Sequence, residues 1–281
     1  VLGLGGRTLK RSTGPDLLSL FIGSEGTLGL FTEIALAVTE RPARRMGVAV
    51  PLPKEISLAS VVLRLRRERS LGLSAVEYVD ATCAAALAGI PGSRLPGAEA
   101  TLLCEVESES ESAEERQLEG LGALLRELGV PAEPLVYPDA DRLWTLRGES
   151  GSALARKVGP TVREDIAVPP EALDELFTSI EQIARRLEVP VHTFGHLGEA
   201  NLHPNFVVDP GNPVAESIRR SLYETTRRLG GTLSGEHGIG AVKAPYLELE
   251  LGGPGIEALR GVKRVFDPDG ILNPGKVYPV R

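Results

Sequence analysis

All four histidines of this 281-residue chain, His192, His196, His203 and His237, lie between positions 192 and 237. Imidazoles ligate metals and carry protons near neutral pH, so their clustering points to a site rather than to scattered core or surface positions. Residues 191–196 and 202–207 read as two strands, with Gly198-Glu199-Ala200 between them. A two-residue turn centred on Glu199-Ala200 predicts that His196 faces His203 directly, both rings on one side of the hairpin. Asn205, two residues on, points the same way. Two imidazoles so placed can share Zn²⁺ or a similar divalent ion, which needs another protein ligand and an open position.

A third ligand is offered by the segment at 230–240, where Gly230, Gly231, Gly235, Gly238 and Gly240 surround Glu236 and His237. Five glycines imply special backbone angles or close approach to a ligand. Glu236 and His237 are adjacent, so their side chains are expected to diverge, one ligating and the other working as a base. Glu199 is an alternative ligand, although a carboxylate in a tight turn is more often solvated. Positive charge comes from Arg147, which shares a helical face with Trp144, and from Arg163, in a segment that leads to Asp165 and Pro169-Pro170. A guanidinium fork suits a carboxylate, but the residues alone leave a plain salt bridge equally open for either arginine.

The elements that must position these groups alternate along the chain. Strands are expected at 46–50, 73–79, 101–107, 190–195 and 202–208, with an edge strand at 161–168. Helices are expected at 54–70, 80–88, 111–128, 140–156, 171–188 and 214–229. The helix at 171–188 is cleanly amphipathic, with Leu173, Leu176, Phe177, Ile180, Ile183, Ala184 and Leu187 on one side. This pattern predicts an α+β domain with a mostly antiparallel sheet and helices on one face. Upstream, residues 1–10 read as a hairpin with a glycine-rich turn, whose further partner strands are expected from preceding sequence. Three glycines in Gly23-Ser24-Glu25-Gly26-Thr27-Leu28-Gly29 argue for a tight bend, and Ile34-Ala35-Leu36-Ala37-Val38 reads as a strand. A boundary follows at Glu40-Arg41-Pro42-Ala43-Arg44-Arg45.

Composition narrows the function classes. The formal net charge of -7 gives no general attraction to nucleic acid or anionic membrane, while leaving room for a locally positive cleft that takes a small anion. No apolar run approaches the roughly 20 residues that span a bilayer. Cys83 and Cys104 are too few for a disulfide framework and are expected as buried thiols, which fits a cytoplasmic setting. On these residues alone a metal-dependent hydrolase is as admissible as a redox enzyme, and so is a non-catalytic subunit that keeps the fold.

Four segments carry a family resemblance. They are residues 16–29, ending in Gly23-Ser24-Glu25-Gly26-Thr27-Leu28-Gly29, then Gly195-His196-Leu197-Gly198-Glu199-Ala200-Asn201-Leu202-His203, Ser234-Gly235-Glu236-His237-Gly238 and Asn273-Pro274-Gly275-Lys276. In order and spacing the chain resembles the FAD-linked oxidase C-terminal family, within the vanillyl-alcohol oxidase type of flavoprotein. That family includes the glycolate oxidase flavin subunit, D-lactate dehydrogenase and D-2-hydroxyglutarate dehydrogenase. The resemblance implies a C-terminal piece of an FAD-binding domain at 1–38, a ferredoxin-like substrate or cap domain at 39–265 and a segment returning to the flavin at 266–281. The upstream glycine-rich part that holds the pyrophosphate in the family is not among these residues. The resemblance places Gly23, Ser24, Glu25, Gly26, Thr27, Gly29 and Asn273 at FAD. It assigns a divalent metal (Zn, Mn or Fe) to His196, His203 and Glu236, the general base to His237, and substrate contacts to Arg147, Arg163 and Asn205. Arg163 stands where the hydroxyglutarate enzyme has a lysine, and Glu199-Ala200 where the family has Asp-Gly. The implied reaction is FAD-dependent oxidation of a small 2-hydroxyacid, with electrons passing to an acceptor or partner subunit. A homodimer and a peripheral membrane association through partners stay open.

Overall fold

The computed structural model describes residues 1–8, 10–131 and 133–278. In chain order the elements are α1 (Leu17–Phe21), β1 (Arg44–Pro51), α2 (Leu58–Arg67), β2 (Leu73–Val79), α3 (Ala81–Ala88), β3 (Thr101–Ser108) and α4 (Glu111–Glu127). There follow β4 (Leu135–Tyr137), α5 (Ala140–Gly148), α6 (Ser150–Val158), β5 (Val162–Arg163), β6 (Ile166–Ala167), α7 (Leu173–Arg186), β7 (Val191–His196), β8 (Asn201–Phe206), α8 (Val214–Arg228) and α9 (Glu248–Phe266). They form two units, one of Val1–Val38 with Glu236–Arg281 and one of Thr39–Gly235. Among the described residues, no helix is long and apolar enough to cross a membrane.

The larger unit is α+β, built on an eight-stranded sheet of order β4-β1-β3-β2-β7-β8-β5, with β6 also on β8. Every pairing is antiparallel. The helices cover both faces, not the single face expected. β1 and β3 are buried almost end to end rather than alternately, as strands covered on both sides must be. On one face Ala49, Leu103, Val79 and Phe194 meet Cys83, Ala84 and Leu87 of α3, Leu143 and Leu146 of α5, and Ala153 and Leu154 of α6. On the other face Tyr78 stacks edge-on against Phe177 of α7 at 5.2 Å. Asp174 ties α7 to α2, accepting from Ser57 Oγ at 2.5 Å and Ala59 N at 3.1 Å.

Two expected elements form in pieces. The helix at 140–156 becomes α5 and α6, divided at Glu149. The edge strand at 161–168 becomes β5 and β6, both on β8. The register continues unbroken through the gap, which places Glu164 opposite Pro204. A proline offers a carbonyl but no N–H, so Glu164 N still donates to Pro204 O at 3.0 Å while the return bond is missing.

In the smaller unit, α1 is capped by Asp16, and Phe21 packs edge-on against Phe266 at 4.9 Å. Lys263 Nζ closes the loop ends by donating to Thr27 O and Leu272 O, both at 2.7 Å. Two strand expectations fail here. Residues 1–8 form no strand, Leu9 lies outside the described residues, and 34–38 is extended without pairing. The side chains of Ile34, Leu36 and Val38 alternate as a strand's would but are 68%, 80% and 89% exposed, because no strand forms among this unit's described residues to complete a ladder.

One close approach in the sheet is testable. A methyl group on Gly195 would sit 2.4 Å from the Asn201 carbonyl oxygen and 2.7 Å from the Leu202 Cα. Backbone cannot yield as a flexible side chain does, so Gly195→Ala should destabilise the protein by roughly 2–3 kcal/mol or more, at the upper end of overpacking costs. Urea denaturation of the two proteins checks this; an unchanged midpoint would mean that the strands are not so closely apposed.

Candidate active site

The site grows from the β7–β8 hairpin. Phe194 pairs with His203 and His196 with Asn201, two residues out of the expected register. The cause is the turn, which takes four residues. Leu197–Glu199 form one 3-10 turn, Ala200 N donates to Leu197 O at 3.0 Å, and Ala200 closes it in the left-handed region at φ 54 and ψ 30. Because strand side chains alternate with period two, a two-residue shift leaves each on its predicted face. His196 and His203 therefore meet diagonally, their rings perpendicular and their centroids 5.3 Å apart.

Buried carboxylates stand behind these rings. Glu77 of β2 is 6% exposed, and its Oε1 lies 2.7 Å from His196 Nδ1. An ionised carboxylate only accepts, so this contact puts the proton on Nδ1 and leaves the Nε2 lone pair available. Asp165, fully buried between β5 and β6, has Oδ1 3.7 Å from His203 Nδ1. Asp165 is itself held by Asn201 Nδ2 at 2.7 Å and Ser234 Oγ at 3.0 Å. The Glu77 carboxylate behind His196 orients that ring and raises its basicity as a ligand, while Asp165 lies beyond hydrogen-bond distance of His203 Nδ1. Two imidazoles on one face suit a divalent ion of the zinc, manganese or iron type.

Two guanidiniums border the same face. Arg147, in the last turn of α5, donates from Nε to Glu77 Oε2 at 2.8 Å, with Nη2 2.7 Å from the same oxygen. Arg163 of β5 pairs with Asn205 across the sheet and donates from Nε to its Oδ1 at 2.8 Å. Their Cζ atoms lie 5.1 and 5.3 Å from the centroid of Phe194, whose electron-rich ring offsets part of the repulsion between them. Arg163 is exposed as a residue, yet desolvation of its guanidinium, with the Arg147 charge adding to it, pulls its pKa below the usual arginine value. It stays cationic at any working pH. Among the described residues Arg163 has no carboxylate partner within ion-pair distance. Asn205 is fully buried, and its Nδ2 donates to the His203 carbonyl at 2.6 Å and the His192 carbonyl at 3.3 Å. His192, the cross-strand partner of Asn205, lies on the same face with Nδ1 3.4 Å from Asp80 Oδ2.

Glu236, His237 and the expected flavin segment belong to the smaller unit. Glu236 and His237 are about half exposed, and their side chains approach, Nε2 to Oε1 at 3.7 Å, instead of diverging as adjacency suggested. Left-handed glycines at 238 and 240 let the chain bend back after them. Glu25, at φ 50, accepts from Ile239 N at 2.6 Å and Gly240 N at 2.8 Å, and Asn273 Nδ2 donates to its carbonyl at 2.6 Å. Thr27 is fully buried and donates to Ser24 O at 2.6 Å. The Ser24 hydroxyl is buried without a hydrogen-bond partner among the described residues. Gly23 at φ 81 presents open space on its Cα, and Gly26 and Gly29 complete the bend.

Sequence reasoning missed Glu77, Asp165 and Phe194. Glu77 had a signal, a lone carboxylate inside the apolar run Leu73-Ser74-Ala75-Val76-Glu77-Tyr78-Val79, since a buried charge must find partners. Phe194 carries no such mark, because an aromatic at an inward strand position reads as core.

Residues 41–277 match the family described as FAD linked oxidases, C-terminal domain. The chain is 32% identical over 285 residues to the glycolate oxidase subunit GlcD of Bacillus subtilis, covering 99% of this chain and 60% of that protein. It is 33% identical over 281 residues to a D-lactate dehydrogenase of Archaeoglobus fulgidus, covering 99% and 61%. A probable mitochondrial D-2-hydroxyglutarate dehydrogenase of Oryza sativa is 31% identical over 281 residues, covering 96% and 50%. The chain thus spans between half and about 60% of the length of these relatives. In fold it is similar to p-cresol methylhydroxylase, at a TM-score of 0.70 and 13% identity over 96% of this chain and 59% of that one. It is also similar to the 4-ethylphenol oxidase of Gulosibacter chungangensis, at a TM-score of 0.66 and 16% identity over 95% and 60%. On the extent of these matches, the chain belongs to the FAD-linked oxidase C-terminal domain family.

Proposed function

We propose that this chain is the substrate-handling part of a flavin-dependent dehydrogenase that oxidises a D-2-hydroxyacid, glycolate or D-lactate foremost, to the 2-oxoacid. The observation that carries the reading is one sheet face on which two imidazoles, with centroids 5.3 Å apart, adjoin two guanidiniums about Phe194. In the same reading β1-α2-β2-β3-α4-β4, with strand order β4-β1-β3-β2, is a ferredoxin-like cap. FAD, when bound, supplies the two-electron acceptor, and Gly23, Ser24, Glu25, Gly26, Thr27, Gly29 and Asn273 are the residues of this chain assigned to it. The buried Ser24 hydroxyl fits such a contact. His196, His203 and Glu236 would hold a zinc, manganese or iron ion, which supplies Lewis acidity toward the substrate hydroxyl.

Oxidation removes the hydroxyl proton and the Cα hydrogen with its electron pair. Arg163, with no competing carboxylate, grips the substrate carboxylate and so fixes which side of Cα is presented. Arg147 contributes its remaining donors, while Asn205 acts by holding Arg163 and the His203 backbone. His237 accepts the hydroxyl proton at a ring nitrogen. An acceptor or partner subunit would take the electrons from bound FAD, and a homodimer belongs to the same reading.

His196→Ala should remove bound metal and the turnover of glycolate or D-lactate together, as read by metal analysis and steady-state rates on the complete flavin-loaded protein. Turnover that persists in metal-free protein would falsify the metal's role. His237→Ala should keep its metal while losing about 10²- to 10⁴-fold in kcat, the range of general-base catalysis. Arg163→Met should lower kcat/KM about tenfold to a hundredfold, the worth of a charge-assisted hydrogen bond, and Arg163→Lys should recover part of it. Equal kcat/KM for the methionine variant and wild type would assign the carboxylate to another group.

A further inference from the structure

Glu77 is hydrogen-bonded at each oxygen, to His196 at one and to Arg147 at the other. Its Oε1 meets His196 Nδ1 at 2.7 Å, while Oε2 meets Arg147 Nε at 2.8 Å and Nη2 at 2.7 Å. The contact is fixed by the sheet. β2 pairs with β7 through Tyr78↔Gly195 and Val79↔Phe194, so the next step of the register brings Glu77 opposite His196. At 6% exposure little water reaches it, so its charge leans on the His196 and Arg147 donors.

We propose that Glu77 is a positioning residue that couples the metal-binding and anion-binding halves of the site, fixing His196 with Nε2 presented and Arg147 with its remaining donors turned to the substrate. The proposal rests on the metal-assisted reading of the site given above. An ionised carboxylate accepts at both oxygens, whereas the amide of glutamine accepts at one and donates at the other. Glutamine at 77 therefore leaves either His196 or Arg147 facing a donor. Partners that orient a ligating histidine typically govern metal affinity by about 10- to 100-fold.

The test is titration of Mn²⁺ and of Zn²⁺ into the complete, metal-stripped protein, comparing wild type, Glu77→Gln, Arg147→Met and the double variant. Affinity should fall at least about tenfold in Glu77→Gln and stay within about threefold of wild type in Arg147→Met, with the metal-free melting curve of each reporting the fold. Where Glu77→Gln does not fold because it strands a buried guanidinium, the double variant removes that guanidinium. A tenfold loss between Arg147→Met and the double variant then supports the proposal. Unchanged affinity in Glu77→Gln, or between Arg147→Met and the double variant, overturns it. An equal loss in Arg147→Met and Glu77→Gln also overturns it, since the effect would then come from the fold and not from the ring. Wild type that binds neither ion overturns instead the metal-assisted reading on which the proposal stands.

Discussion

Side chains on a β-strand can point only two ways, and the pairing of β7 with β8 converts that restriction into a site. Phe194, His196, Asn201, His203 and Asn205 share one face because each is an even step from the next within its strand and across the ladder. Extending the ladder adds Arg163 from β5 and Glu77 from β2 to the same face. Toward β1 and β3 that face is mostly apolar, covered by α3, α5 and α6, with the buried Glu105 paired to Arg45 at its far edge. The polar groups thus occupy one end of a surface whose other end is core, and the packing of α5 brings Arg147 to the border between them. A one-residue slip of β8 on β7 would put the two imidazoles on opposite faces of the sheet.

Charge burial sets the second condition. The face gathers Glu77, Asp165 and Arg147, with Arg163 exposed beside them, and an enclosed charge is strongly destabilising unless paired. The solution is local matching. Glu77 faces Arg147 and His196, Asp165 takes donors from Asn201 and Ser234, and the Phe194 ring lies against both guanidiniums. Burial, with Asp80 nearby, pushes the Cys83 thiol well above its ordinary range. It therefore remains neutral and packs as a small apolar group beside the arginines, and neither it nor Cys104 behaves as a nucleophile.

Much of this was legible in the sequence, for identifiable reasons. Most strands and helices of the larger unit were readable because each has a full period of apolar positions, as in α7, whereas the three-residue edge strand β4 is too short to show one and was not expected. The shared face of His196 and His203 was readable because parity survives an error of two residues in the turn, although the pairing itself did not. Coverage of both sheet faces was legible only in the near-continuous apolar runs of β1 and β3, which short strands share with buried helices. The division of the edge strand at Glu164 required knowing that Pro204 would lie opposite it. The apolar alternation at 34–38 misled, since alternation describes what a strand would bury and supplies no partner. The roles of Arg147 and Arg163 came from resemblance, since the residues alone left a plain salt bridge equally open, whereas strand alternation already put Asn205 on the histidine face.

The left-handed backbone at Ala200 restricts how this hairpin can drift. Its methyl group is fully enclosed, and its φ of 54 lies where branching at Cβ collides with the neighbouring peptide. Valine, isoleucine and threonine are thereby excluded on backbone grounds, and larger side chains for want of room. Glycine is admitted without backbone strain, and asparagine tolerates the conformation, though its amide would need partners in the enclosed space. A single torsion angle at one small residue thus limits the alphabet available between the two histidine-bearing strands.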